Sequence, residues 1–197
     1  MARDTKQRIL EAALEIFARD GYEGTNVKDI ADAVGLVKSG IYKHFENKES
    51  IWNATIEMVA SYYEEHMNER RNVLKIPQNM DELLKLTMGM VNFTIHDRKV
   101  IMIRRILTKE QFRDEKIRDL ANAHFVYDIE AMFTEIFKGM MEAGVIRECD
   151  PEVLAFSYTA PISVLIRMCD REPLKEEEVT GKISKHVELF SETYRLS

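Results

Sequence analysis

The chain has 197 residues, 45% of them hydrophobic, and a formal net charge of −6, which suits one large or two small domains with a real core. No run of 18 apolar residues occurs and MARDTKQRILEAA carries no apolar leader, so neither a membrane span, a membrane partner nor a secretory signal is expected. Two cysteines, Cys149 and Cys169, make no disulfide framework and read as reduced thiols of a cytoplasmic protein. With only 4 Pro and 8 Gly, and no sustained period-2 alternation, the fold class is all-α.

Residues 4–20 read as the first helix. Ile9, Leu10, Ala13, Leu14, Ile16 and Phe17 form a broad apolar stripe with charges opposite. Asp4 or Thr5 caps its start and Gly21 ends it. Arg3 and Lys6 at its front are either a solvated end or a short basic arm within reach of phosphate.

Thr25 to Phe45, TNVKDIADAVGLVKSGIYKHF, reads as two short helices around a tight turn. The first, Val27 to Val34, repeats apolar residues at Val27, Ile30, Ala31 and Val34, one buried face. Thr25 or Asn26 accepts from its first-turn N–H groups, and Gly35 lets the chain reverse. The second, Lys38 to His44, carries Val37, Ile41 and Phe45 on one face and Lys38, Ser39, Tyr42 and Lys43 on the rest. This is a helix-turn-helix whose second helix has a basic, aromatic-bearing outer face, the arrangement that enters a DNA major groove. Residues 1–50 hold eight Lys/Arg against nine Asp/Glu, so the total charge does not advertise nucleic acid. A DNA-binding face needs only a local patch, and Lys38, Lys43 and Lys48, with His44, lie beside a single acid, Glu46.

A long helix from the Asn47 cap to about Asn72 follows, with Trp52, Ile56, Val59 and Tyr63 along one side. Val73 to Asn79 is a loop, and Asn79 with Glu82 makes a capping box for a helix to about His96. Further helices are expected over Lys99 to Thr108, Asp114 to Ala143, Pro151 to Asp170 with Pro161 as a kink, and Lys175 to Tyr194. The stripe of the 114–143 helix takes in Ile117, Leu120, Ala121, His124, Asp128, Met132, Glu135 and Phe137. Eleven methionines, several in the middle helices, suit an adaptable apolar cavity as well as an ordinary core. Met58, Met88, Phe93, Met102 and Phe125 are the candidate lining, with His96, His124 and Asp128 as candidate polar anchors.

Residues 8–51 resemble the N-terminal domain of the TetR (tetracycline repressor) family of bacterial transcription regulators. The pieces that carry the resemblance are RILEAALEIFARDGYEGTNVKDIADAVG and IYKHFENKESI. The resemblance implies a helix-turn-helix DNA-binding domain at 1–47 and a helical ligand-binding and dimerisation domain at 48–197, about nine helices in all. It implies DNA contacts by Thr25, Lys38, Ser39, Tyr42, Lys43, His44 and Lys48. It further implies a repressor that binds a palindromic double-stranded operator as a homodimer through its last two helices, and is released by a small, largely apolar effector. Two positions depart from the family pattern. Val37 stands where a small hydroxyl residue is common, and Gly40 where Thr or Ala is common, so base preference is open.

Two other classes compete with a regulator. An enzyme would need a catalytic or metal set, but HExxH, a P-loop and GxGxxG are all absent. His124 and Asp128 alone do not make a metal site, so no catalytic residue, metal or cofactor is expected. A helical interaction module without DNA binding is the other alternative, left open by Val37 and Gly40.

Overall fold

The computed structural model describes residues 2–73 and 75–196, and for residues 2–3 and 70–73 the backbone alone. The basic-arm reading of Arg3 therefore lies outside the described side chains. About 82% of the chain is helical, in segments α1 (Ala2–Gly24), α2 (Val27–Ala33), α3 (Lys38–Ile41), α4 (Lys48–Val73), α5 (Met80–His96) and α6 (Arg98–Glu110). There follow α7 (Glu115–Asn122), a π turn (Ala123–Tyr127), α8 (Asp128–Glu142), α9 (Pro151–Arg171), a 3-10 turn (Pro173–Lys175) and α10 (Glu176–Tyr194). Among the described residues there is no strand, only an isolated antiparallel bridge between Ile146 and Arg195.

Side-chain caps set several of the starts. Asn26 Oδ1 accepts the Lys28 N–H at 2.9 Å, and Asn47 Oδ1 accepts that of Ser50 at 2.8 Å. Asn79 Oδ1 accepts the Glu82 N–H at 2.9 Å, while the Glu82 carboxylate reaches back to the Gln78 N–H at 2.9 Å. Asp150 Oδ1 accepts from both Glu152 and Val153, and Pro151 opens α9 where no N–H is needed.

Two features differ from the sequence reading. Gly21 does not end the first helix. The chain turns there at φ 74°, ψ 177° and helical assignment resumes to Gly24. The expected 114–143 helix contains a π turn, so one extra residue shifts its register midway. Beyond it Met132, Ile136 and Phe137 are buried, but Glu135 is exposed and pairs with Lys138 at 2.9 Å. As expected, one helix, α9, contains Pro161.

The chain divides into two compact units, Met1–Asn72 with Met102–Leu120, and Val73–Ile101 with Ala121–Ser197. Residues 48–72 group with the helix-turn-helix, where Trp52 is 1% exposed and meets Phe17 of α1 edge-on at 4.9 Å. Burial of Ile9, Ala13, Phe17, Ile30, Ile41, Ile51 and Ile56 supplies that unit's core.

The second unit is built around stacked and tilted rings. Tyr158 of α9 is fully enclosed and lies 5.1, 5.2 and 4.7 Å from Phe133, Phe137 and Phe190. Its hydroxyl is paired with Thr87 Oγ1 of α5 at 2.6 Å, the buried polar link in an otherwise apolar cluster. By length and composition α9 is the one helix among the described residues that qualifies as a membrane span, and a third of its most apolar window is buried here. Leu154, Ala155, Tyr158 and Ile162 belong to the core cluster of this unit.

Candidate nucleic-acid interface

The recognition element is short. Val37 precedes it in extended backbone, regular helix begins at Lys38 and stops at Ile41, and residues 42–44 continue as turns. Ile41 and Phe45 are buried and pin the element to its unit. Val37 does not join them. It is 72% exposed, because the chain is still extended there and helical spacing does not yet apply. The free face carries Val37, Lys38, Ser39, Tyr42 and Lys43, with His44 half-buried at its end. Lys38 Nζ lies 6.0 Å from the centre of the Tyr42 ring.

Charge is unevenly distributed over the helix-turn-helix unit. The exposed acids Glu11, Glu15, Asp29 and Asp32 lie on α1 and α2, where with Arg8 and Arg19 they line an open groove of about 560 Å³. Lys38, Lys43 and Lys48 lie on α3, the following turn and the first residue of α4. A chain of net charge −6 thus keeps a local cationic face.

Thr25 is not on that face. It is 4% exposed, and its hydroxyl donates to Gly21 O at 2.7 Å. Its side chain ties the turn between α1 and α2 and is turned inward, unlike the other expected contact residues. Gly40 has an ordinary backbone conformation among the described residues, and a Cβ there would make only van der Waals contact with Leu36 at 3.5 Å. Nothing inside the protein requires glycine at that position.

Lys48 is half-buried, with Nζ 3.4 Å from Glu23 O and 4.3 Å from the centre of the Tyr22 ring. That ring is one side of a cluster the sequence did not signal. From the end of α6, Lys109 Nζ donates to Ala18 O at 3.0 Å and to Arg19 O, and Glu110 Oε1 accepts the Tyr22 N–H at 2.8 Å. From the following turn, Arg113 places its guanidinium 3.4 Å from the centre of the Tyr22 ring and pairs with Glu49 at 2.8 Å. Burial works against the Arg113 charge, but Tyr22 and Glu49 outweigh it and raise its pKa above the ordinary arginine value. Burial, then the hydrogen bond to Glu49, raises that of Tyr22. No periodicity or motif marks Arg113; the only sequence signal is an arginine in a turn.

The expected effector-lining residues divide between the two units. Met58 and Met102 belong to the first, and Met58 Sδ accepts from Gln7 Nε2 of α1 at 3.6 Å. Met88, Phe93, His124, Phe125 and Asp128 belong to the second, and all seven are half-buried. Within the second unit Met88 meets Ser184, and the Phe125 ring, in the π turn, lies 4.3 Å from the Arg167 guanidinium. Among the described residues no group of three His, Cys, Asp or Glu is placed to hold a metal ion.

Residues 9–55 match the model of the family described as bacterial regulatory proteins, tetR family. The HTH-type transcriptional repressor KstR2 of Rhodococcus jostii is 26% identical over 146 residues, covering 71% of this chain and 65% of that protein. IcaR of Staphylococcus epidermidis, the HTH-type negative transcriptional regulator of the biofilm operon icaADBC, is 34% identical over 58 residues, 29% of this chain and 31% of that one. This chain thus spans less than two thirds of the length of these curated relatives. The crystal structure of a TetR-family transcriptional regulator from Agrobacterium tumefaciens shares the fold over 100% of both chains with a TM-score of 0.72, at 16% identity. The residues matched by the family model, the helix-turn-helix they build and the likeness of the whole fold lead to one assignment: residues 9–55 form the N-terminal domain of the tetR family of bacterial regulatory proteins, on a chain with the fold of TetR-family regulators.

Proposed function

We propose that this protein is a DNA-binding transcriptional repressor that acts as a homodimer and is released from DNA by a small molecule. Residues 1–47 are the reading head and 48–197 the dimerisation and effector-binding part. The observation that carries the reading is the free face of the helix-turn-helix, where Lys38, Ser39, Tyr42 and Lys43 stand exposed on an element anchored by buried Ile41 and Phe45. Lysines there are phosphate-directed point charges, and Tyr42 donates to phosphate or meets a thymine methyl. His44 and Lys48 extend the same strip. Thr25 contributes through the turn it ties. No arginine or glutamine lies on this face, so DNA shape and positioning carry much of the specificity.

A single short element gives little affinity, and a dimer reading a palindrome supplies the rest. Val153, Phe156 and Val164 of α9 and Leu189 of α10 are 54–64% exposed. Large apolar side chains left open on the last two helices support dimerisation there. For the effector, the half-buried Met88, Phe93, His124, Phe125 and Asp128 of the second unit favour a largely apolar molecule with a polar handle. The expected site of action is the cytoplasm, on double-stranded DNA, with no membrane partner.

A mobility-shift assay against the region upstream of the protein's own gene tests this. A shift that weakens with salt, and with Tyr42→Ala, is expected. Equal binding to an unrelated duplex, or none at low salt, would overturn it.

A further inference from the structure

One aromatic ring near the reading head is shared by two cations. Tyr22, at the end of α1, has the Arg113 guanidinium 3.4 Å and Lys48 Nζ 4.3 Å from its ring centre. Arg113 also lies 5.3 Å from the Trp52 ring and donates from Nη2 to Glu49 Oε2 at 2.8 Å. Lys48 and Glu49 are the first two residues of α4, so opposite charges stand side by side where the proposed DNA contact begins. Left alone, the half-exposed Glu49 carboxylate repels any phosphate that Lys48 attracts. Paired with Arg113, it does not.

We infer that Arg113 is a positioning residue for DNA binding: it holds the Tyr22 ring against which Lys48 rests, and it neutralises Glu49 beside that lysine. This rests on the DNA-binding reading above. Arginine is suited to both tasks because its flat guanidinium stacks on a ring and forks to a carboxylate in one pose, which lysine does not reproduce. The neighbouring bonds keep the corner in place. Lys109 holds two carbonyls at the end of α1, and Glu110 holds the Tyr22 N–H, so the segment that delivers Arg113 is itself fastened to Tyr22.

The test is fluorescence anisotropy of a labelled duplex from the protein's own upstream region, between about 50 and 200 mM salt. Arg113→Ala is expected to weaken binding about tenfold. It also lowers the slope of log affinity against log salt by about 0.9, the change expected when Lys48 no longer neutralises one phosphate. Adding Glu49→Gln to that variant restores part of the affinity, and Arg113→Lys falls between variant and parent. A merely structural role would lower the unfolding temperature and leave the slope alone. If Arg113→Ala loses its helical circular dichroism, Arg113→Lys decides the matter. A folded variant that binds with the parent's affinity and slope overturns the role of Arg113. Absence of salt-dependent binding by the unaltered protein overturns the DNA-binding reading itself.

Discussion

Glu110 and Gly21 meet so closely that a Cβ on Gly21 would lie 2.8 Å from Glu110 Oε1, the oxygen that accepts the Tyr22 N–H. Gly21 also adopts φ 74°, ψ 177°, a region open essentially to glycine alone. Gly21→Ala is therefore expected to cost about 1–3 kcal/mol from the backbone, with a further loss as Glu110 is pushed off. Urea unfolding followed by circular dichroism measures it. An unchanged midpoint would mean that the corner does not depend on this approach.

Gly40 gives the opposite separation of stability from function. A methyl there clashes with nothing inside the protein, and alanine gains about 1 kcal/mol of helix propensity. Gly40→Ala should be at least as stable as the parent, its methyl resting on Leu36, and a weaker grip on the upstream duplex would report a close approach of this backbone to DNA. Thermal unfolding and anisotropy on one preparation give both readings. Undiminished affinity would remove Gly40 from the interface.

The Thr87–Tyr158 pair sets an alkaline limit on stability. Burial holds the Tyr158 pKa far above its ordinary value near 10. In the unfolded chain the phenol ionises at the ordinary value, so the folded state binds the extra proton. The stabilisation is fully present below about pH 10 and falls as pH rises above it. Tyr158→Phe should flatten that alkaline decline. It also leaves the Thr87 hydroxyl buried without its partner, at about 1–3 kcal/mol near neutral pH. Thr87→Val with Tyr158→Phe should cost less than the two separate losses added together. Unfolding midpoints measured from about pH 7 to about pH 11 decide it; additive losses would argue against the pair.

Phe156→Glu or Val164→Glu places a charge in the apolar stripe of α9 without touching its core face of Leu154, Tyr158 and Ile162. The folded protein should then sediment at the mass of one chain where the parent sediments at two. DNA affinity should fall with it. A parent that sediments as a monomer at every concentration would refute the proposed assembly.

Elements whose contacts are local were readable in the sequence. The faces Ile9–Phe17 of α1 and Val27–Val34 of α2 are buried as their spacing implied, and Asn26, Asn47, Asn79 and Asp150 cap the helices they precede. Spacing misled where the backbone leaves the helix, as at Val37, and where a π turn shifts the register ahead of Glu135. The resemblance implied a DNA contact at Thr25, and folding turns its hydroxyl inward to Gly21 O, a bond that only the fold reveals. Arg113, Lys109 and Glu110 carry no local signature, since their partners lie far back in the chain and only folding brings them together.

The most direct measurement is methylation protection of the upstream duplex with dimethyl sulfate, which reports access to guanine N7 in the major groove. The expected result is two symmetric protected patches whose centres are about one helical turn, or a multiple of it, apart. Both patches should weaken together in Tyr42→Ala and Lys43→Ala proteins that remain folded. Binding with no major-groove protection, or protection unchanged in those variants, would contradict a reading head built on α3.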